Sequence, residues 1–154
     1  MEYFYTSPLG LIRLVSESGC IVRLNFAEGA GPPNNAAPDG VTALCVRELD
    51  GYFKGALKVF SVPVKFGGTA FQSSVWEGLR GIPYGQTRSY KQLAAYIGRP
   101  NATRAVGGAN HRNPVWIILP CHRVIGADGS LTGYGGGLWR KEWLLNHEKK
   151  HLGE

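Results

Sequence analysis

NPVWIILPCHRV, residues 113–124, is the stretch on which the reading of this chain turns. It opens on an amide side chain and a proline, Asn113 and Pro114. Val115 to Leu119 follows, an apolar run with the pattern of a buried strand or extended segment. It closes on Pro120, Cys121, His122 and Arg123, where a thiol, an imidazole and a guanidinium are crowded together. A thiol is a weak nucleophile until it loses its proton, and cationic neighbours favour the thiolate. An apolar run that ends on Cys-His therefore looks like a support for one reactive sulfur. A free cysteine is more often a small core residue. The polar groups flanking this one favour reactivity.

Downstream, Gly126 to Gly129 reads as a turn, and Gly133-Tyr134-Gly135-Gly136-Gly137 as a flexible loop whose bare amides can approach a ligand. The spacing and lysine of a phosphate-binding loop are missing. Leu138 to about Lys149 is the last predicted helix. Glu148 lies one turn after Leu144 and Leu145, close to the apolar stripe. A carboxylate there needs a partner, and His122 is the candidate; the alternative is an exposed side chain near a fraying end.

Upstream, Thr69-x-x-Gln72 is a capping box opening a helix through Leu79, and Ile82-Pro83-Tyr84-Gly85 breaks the chain. Ser89-x-x-Gln92 opens a second short helix, with Leu93, Ala94 and Ile97 inward and Gly98 as its stop. Asn101 is the expected cap of a helix from Ala102 to about Asn110. Two short helices around a glycine-containing turn read as a helix-turn-helix. The second helix suits base reading poorly. A major-groove helix presents long polar side chains, whereas this one offers Arg104 followed by Ala105, Gly107, Gly108 and Ala109. Two glycines weaken a helix, so a close approach is expected: either the helix backbone enters a minor groove, or it packs tightly on its own domain.

The first 66 residues carry no evident chemistry. Residues 2–26 read as antiparallel strands with a turn at Ser18-Gly19. Cys20, Val22, Leu24 and Phe26 share the apolar parity, which puts Cys20 in the core. Glu28 to Gly40 reads as an exposed loop, and Asp39 as the cap of a helix whose stripe is Val41, Leu44, Cys45, Leu49, Tyr52 and Phe53. Val59 to Phe66 reads as one more strand, with Pro63 favouring an edge.

The 154 residues allow one or two small domains, and 44% hydrophobic content is enough for a core. A scaffold over 1–66 and a chemically active part over 67–154 is the expected division. No apolar run approaches membrane-spanning length, and the N-terminus lacks a signal-peptide pattern. Three cysteines without paired spacing suit a reducing cytoplasm, and no Cys-x-x-Cys or His-x-x-x-His pattern offers a zinc site. The net charge of +6 is uneven: residues 1–66 hold six cationic and six anionic side chains, residues 67–154 eleven and five. A basic half suggests a polyanionic partner, or simply a solvated basic surface.

Taken together, Asn113-Pro114 and Pro-Cys-His-Arg-Val at 120–124 resemble the active-site signature of the methylated-DNA–protein-cysteine methyltransferases, the 6-O-alkylguanine-DNA alkyltransferases. Phe71-Gln72, Pro83-Tyr84-Gly85, Ser89-Tyr90, Arg104 to Gly108, Gly133-Tyr134, Lys141 to Leu145 and His147-Glu148 extend the resemblance across 67–154. Residues 1–66 match in pattern only. The resemblance implies an α/β ribonuclease-H-like N-terminal domain and a mainly α, winged-helix-like C-terminal domain. It implies a monomer that needs no cofactor, binds duplex DNA carrying alkylated bases from the minor groove, and flips the damaged base out. Cys121 resembles the alkyl acceptor, His122 its base acting through a water, and Glu148 the carboxylate orienting His122. Asn113 resembles a hinge between recognition helix and active site. Tyr90 resembles the donor to the leaving guanine, and Arg104 the finger that fills the vacated stack. Backbone groups of Cys121, Val124 and Gly135 resemble those holding the base, in a pocket walled by Tyr134. The implied activity is single, irreversible transfer from 6-O-alkylguanine, with 4-O-alkylthymine as a further substrate.

Trp116 departs from the family pattern, which favours a smaller residue there, with consequences for loop packing and pocket width. The four-cysteine zinc domain of the adaptive-response regulators has no counterpart. Three rivals stand beside this reading. A non-catalytic lesion binder would lack the acceptor cysteine. A Cys-His hydrolase would need an oxyanion motif, which is not evident. A helix-turn-helix regulator would not need the Cys-His-Glu set.

Overall fold

A computed structural model describes residues 1–29 and 31–153, so Ala30, within the expected 28–40 loop, lies outside the described residues. The chain divides into two compact units, Met1–Phe66 and Gly67–Glu154.

The first unit is a three-stranded antiparallel sheet, β1 (Glu2–Ser7), β2 (Gly10–Glu17) and β3 (Cys20–Phe26), in the order β1-β2-β3, with helix α1 (Gly40–Phe53) packed on it. Ser18 and Gly19 turn β2 into β3, both with positive φ. The parity read from the sequence fails in β3. Val15 pairs with Arg23 but Ser16 pairs with Ile21, so Val22 is skipped in a bulge. An extra residue reverses which side chains face inward. Ile21 is buried while Cys20 is only half-buried, correcting its placement in the core. Cys45 is fully buried. Asp39 caps α1 by accepting from the Thr42 N–H at 2.9 Å.

The strand expected over Val59 to Phe66 does not form; a single parallel bridge joins Val64 to Ile21. Buried Glu48 explains this. Its carboxylate accepts from the backbone N–H groups of Ser61 and Val62 and from the Ser61 hydroxyl, at 2.8–3.0 Å. Donors captured by a carboxylate are lost to a ladder.

The second unit is helical around a two-residue parallel pairing. Helix α2 (Ala70–Leu79) and helix α3 (Tyr90–Tyr96) each begin at a complete capping box, Thr69 with Gln72 and Ser89 with Gln92. Helix α4 (Thr103–His111) starts one residue later than expected. Its cap position is Ala102, without a side-chain cap, so Asn101 does not serve as one. Strand β4 (Arg88–Ser89) pairs with β5 (Val124–Ile125), setting the start of α3 beside the end of the Cys-His segment. Helix α5 (Leu138–Lys150) and α2 pack against a 3-10 turn formed by Cys121–Arg123. No helix among the described residues is long and apolar enough to cross a membrane.

Candidate active site

The apolar run before Cys121 is a tight turn rather than the expected strand or extended segment. The Asn113 side chain holds the turn. Its Nδ2 donates to the Leu119 carbonyl at 2.7 Å, and its Oδ1 accepts from the Val115 N–H at 2.9 Å. The Leu119 N–H returns to the Val115 carbonyl at 3.0 Å. Ile117, at the turn's apex, has φ of 70°, a costly conformation for a β-branched residue. Asn113 follows directly on the end of α4, so one buried amide links that helix to the segment carrying Cys121.

Cys121, His122 and Arg123 are all buried. His122 Nε2 lies 2.6 Å from Oε2 of Glu148, itself 1% exposed. Arg123 closes on the same carboxylate: Nε donates to Oε1 at 2.8 Å and Nη2 to Oε2 at 3.1 Å. Burial alone would raise the Glu148 carboxyl, but the His122 ring and the Arg123 guanidinium hold it well below its ordinary value. Burial is also the largest influence on His122, and it lowers the imidazole despite the opposing pull of Glu148. A neutral ring that donates from Nε2 keeps Nδ1 as a base, and Nδ1 has no partner among the described residues.

Cys121 rests as a thiol. Burial pushes it up to about 11, against the Asn113 side chain, the Lys141 charge and nearby backbone N–H groups. The nearby guanidinium of Arg123 faces Glu148 instead, so the expectation that cationic neighbours in the sequence free the thiolate is not met, and the cation that acts on the thiol is Lys141. The thiol must hand over its proton when it reacts.

Tyr90 opens α3, and its hydroxyl lies 3.3 Å from the Thr132 carbonyl. Tyr90, Thr103, Arg104 and Gly107 line an open cleft of about 480 Å³. Arg104, Ala105 and Gly108 are exposed on α4. A Cβ at Gly108 would meet open space, and one at Gly107 would make ordinary contact with the Tyr90 ring at 3.6 Å. Tight packing within the domain therefore does not account for either glycine. Trp116 donates from its indole to the Asn113 carbonyl at 2.8 Å and lies 5.7 Å from the Tyr134 ring. A Cβ at Gly135 would come within 3.0 Å of that indole, so glycine lets the loop lie against it. Tyr134 is buried, and its hydroxyl has no partner among the described residues.

Two residues escaped the sequence reading. Lys141 is fully buried and donates to the carbonyls of Val124 at 2.6 Å and Thr132 at 2.7 Å, tying β5 to the glycine-rich loop. Burial lowers its ammonium to about 8. The signal was its spacing: Lys141, Leu144 and Glu148 recur at i, i+3 and i+7 and share one face. Arg123 was seen only as a neighbour of the thiol. Among the described residues, no group of three or more His, Cys, Asp or Glu is placed to hold a metal.

Residues 1–66 match the family model of the 6-O-methylguanine DNA methyltransferase ribonuclease-like domain, and residues 70–150 match that of the 6-O-methylguanine DNA methyltransferase DNA binding domain. This chain belongs to the 6-O-methylguanine DNA methyltransferase family. Family relatives named methylated-DNA–protein-cysteine methyltransferase include a Mycobacterium leprae protein, 47% identical over 95% of this chain and 90% of its own length. Another, from Methanosarcina acetivorans, is 47% identical over 94% and 95%. The crystal structure of Mycobacterium tuberculosis OGT in complex with DNA superposes with a TM-score of 0.87, at 45% identity over 97% of this chain and 93% of that one.

Proposed function

We propose that this protein repairs DNA by moving the alkyl group of 6-O-alkylguanine onto Cys121, once and irreversibly. One observation carries the reading: a buried thiol stands next to a buried imidazole whose Nε2 is engaged by Glu148 and whose Nδ1 is left over. His122 accepts the thiol proton through a water. The sulfur attacks the alkyl carbon, the carbon–oxygen bond breaks, and its electron pair stays on guanine. Tyr90 donates to the departing purine, which ends with the proton that the thiol gave up. No cofactor is needed. The same displacement applies to 4-O-alkylthymine.

The target oxygen is hidden in a duplex, so the base must leave the stack. Small, exposed side chains on α4 let its backbone approach a minor groove, and Arg104 occupies the gap left by the base. Val124, Tyr134 and Gly135 form the pocket, and Asn113 transmits contact at α4 to the Cys121 segment. We read the first unit as ribonuclease-H-like, the second as winged-helix-like, and the protein as a cytoplasmic monomer.

Regeneration would require a second nucleophile, and Cys20 and Cys45 both lie in the other unit. Mixed with excess alkylated duplex, the protein should form product only up to one equivalent. Mass spectrometry should find the added alkyl mass on Cys121, and Cys121→Ala should bind DNA without transfer. Product beyond one equivalent would overturn the single-use reading in favour of a hydrolase.

A further inference from the structure

We infer that Arg123 is a positioning residue for alkyl transfer: its two-pronged grip on Glu148 keeps His122 available as a base until Cys121 ionises. This deepens the Cys121 reading and rests on it. The Glu148 carboxylate is saturated. Oε1 accepts from Arg123 Nε at 2.8 Å and from the Gly85 N–H at 3.3 Å, while Oε2 accepts from His122 Nε2 at 2.6 Å and Arg123 Nη2 at 3.1 Å. A carboxylate offers about four acceptor sites, and all are filled. Arg123 is fixed in turn by donation from Nη1 to the Ile82 carbonyl at 2.7 Å, with its guanidinium 5.7 Å from the Tyr84 ring centre.

The consequence is electrostatic. A buried imidazole facing a lone carboxylate gains a proton to form an ion pair, and a protonated ring cannot accept another. Here Arg123 already balances Glu148, and all three groups are buried. A proton on His122 would then leave a net positive charge in a poorly solvated site. The exception is when Cys121 gives up that proton, because the thiolate then balances the imidazolium. Arg123 thus couples protonation of His122 to ionisation of Cys121. The other ionisable groups facing the cluster act in the same direction or stay neutral. Lys141 adds a second positive charge against the ring, and Tyr134 keeps its proton because burial, then Cys121 and Glu148, raise its phenol against the opposing pull of Arg140. Burial, then Arg123 and Lys141, depress the imidazole against the pull of Glu148.

The test is the pH dependence of the single-turnover rate on saturating alkylated duplex. Arg123→Gln keeps hydrogen-bonding capacity but removes the charge. It should move the acid limb of the profile upward by about one pH unit or more, so that most of the lost rate returns at higher pH. Arg123→Lys restores the charge and should return the limb toward its original place. A uniform loss at every pH, with the limb unmoved, would overturn the proposal and leave Arg123 as structural support. Should the glutamine variant fail to fold, ¹⁵N NMR of His122 in the unsubstituted protein decides. A neutral Nε2–H ring at pH 7 supports the proposal, and a protonated ring overturns it. Failure of the parent reading is separately visible, as alkyl mass absent from Cys121 in the unsubstituted protein.

Discussion

Glu148 and His122 are the buried side chains whose shifts bear on acid stability. The folded Glu148 carboxyl lies well below its ordinary value near 4.5, so as pH falls below that value the unfolded chain binds a proton the folded one refuses. The folded His122 imidazole also lies below its ordinary 6.5, so the unfolded chain again binds more protons just under that pH. Both groups therefore make stability rise with pH across the acid range, and fall as the pH drops from 7 to 4. In alkali the shifts around the site oppose one another, with raised Tyr134 acting in the same sense as Cys121. Lys141, lowered to about 8, favours folding as pH rises towards 10.5, whereas Cys121, raised to about 11, disfavours it from 9 upward. All four tryptophans, Trp76, Trp116, Trp139 and Trp143, belong to the second unit, so their fluorescence reports its unfolding. The urea midpoint should drop between pH 7 and pH 4, and a level midpoint would contradict the assigned charge states. Glu148→Gln should flatten part of that fall and slow transfer by roughly tenfold or more, because the ring loses its orienting charge. An unchanged single-turnover rate would remove Glu148 from the relay.

Helix α4 carries the next expectation. Arg104 is exposed beside the cleft, and Gly107 and Gly108 are unconstrained by packing inside the domain. Arg104→Ala should weaken repair of duplex DNA more than reaction with free alkylguanine, since a stack must be held open only in the duplex. Equal losses on both substrates would reject the finger. The elements show what a sequence can reveal. Both capping boxes were readable because each is closed within three residues. The pairing of Glu148 with His122 was raised by the carboxylate beside an apolar face, but that pattern also fits an exposed side chain near a fraying end, and the family resemblance decided it. The 115–119 turn was not readable, because its apolar composition also fits a strand and its two key hydrogen bonds come from the side chain of Asn113. The Val59–Phe66 strand failed for the same reason, with Glu48 taking the backbone donors. Cys20 was misplaced because a bulge leaves no mark in alternating hydrophobicity. Side-chain capture of backbone groups lies outside the periodicity on which such readings depend.

Across the whole molecule, the +6 charge belongs to residues 67–154, but not all eleven cations there can reach DNA. Arg123 is bound to Glu148 and Lys141 is fully buried, so two serve the interior. Arg80, Lys91, Arg99, Arg104, Arg112, Lys149 and Lys150 are exposed and are the cations available to phosphates, although Arg80 lies 3.7 Å from Glu77. Binding dominated by phosphates releases counterions, so log affinity should fall linearly with log salt, by about 0.9 for each phosphate engaged on duplex DNA. Arg112→Ala, near the end of α4, should reduce that slope by about one contact while leaving sequence preference unchanged, because a phosphate contact positions without reading bases. Reversal of Lys149 and Lys150 to glutamate should reduce the slope only if the end of α5 also lies along the duplex. A salt dependence that is flat in the unsubstituted protein would show that the basic half owes its charge to solvation rather than to DNA, and would leave the α4 surface as the whole of the interface.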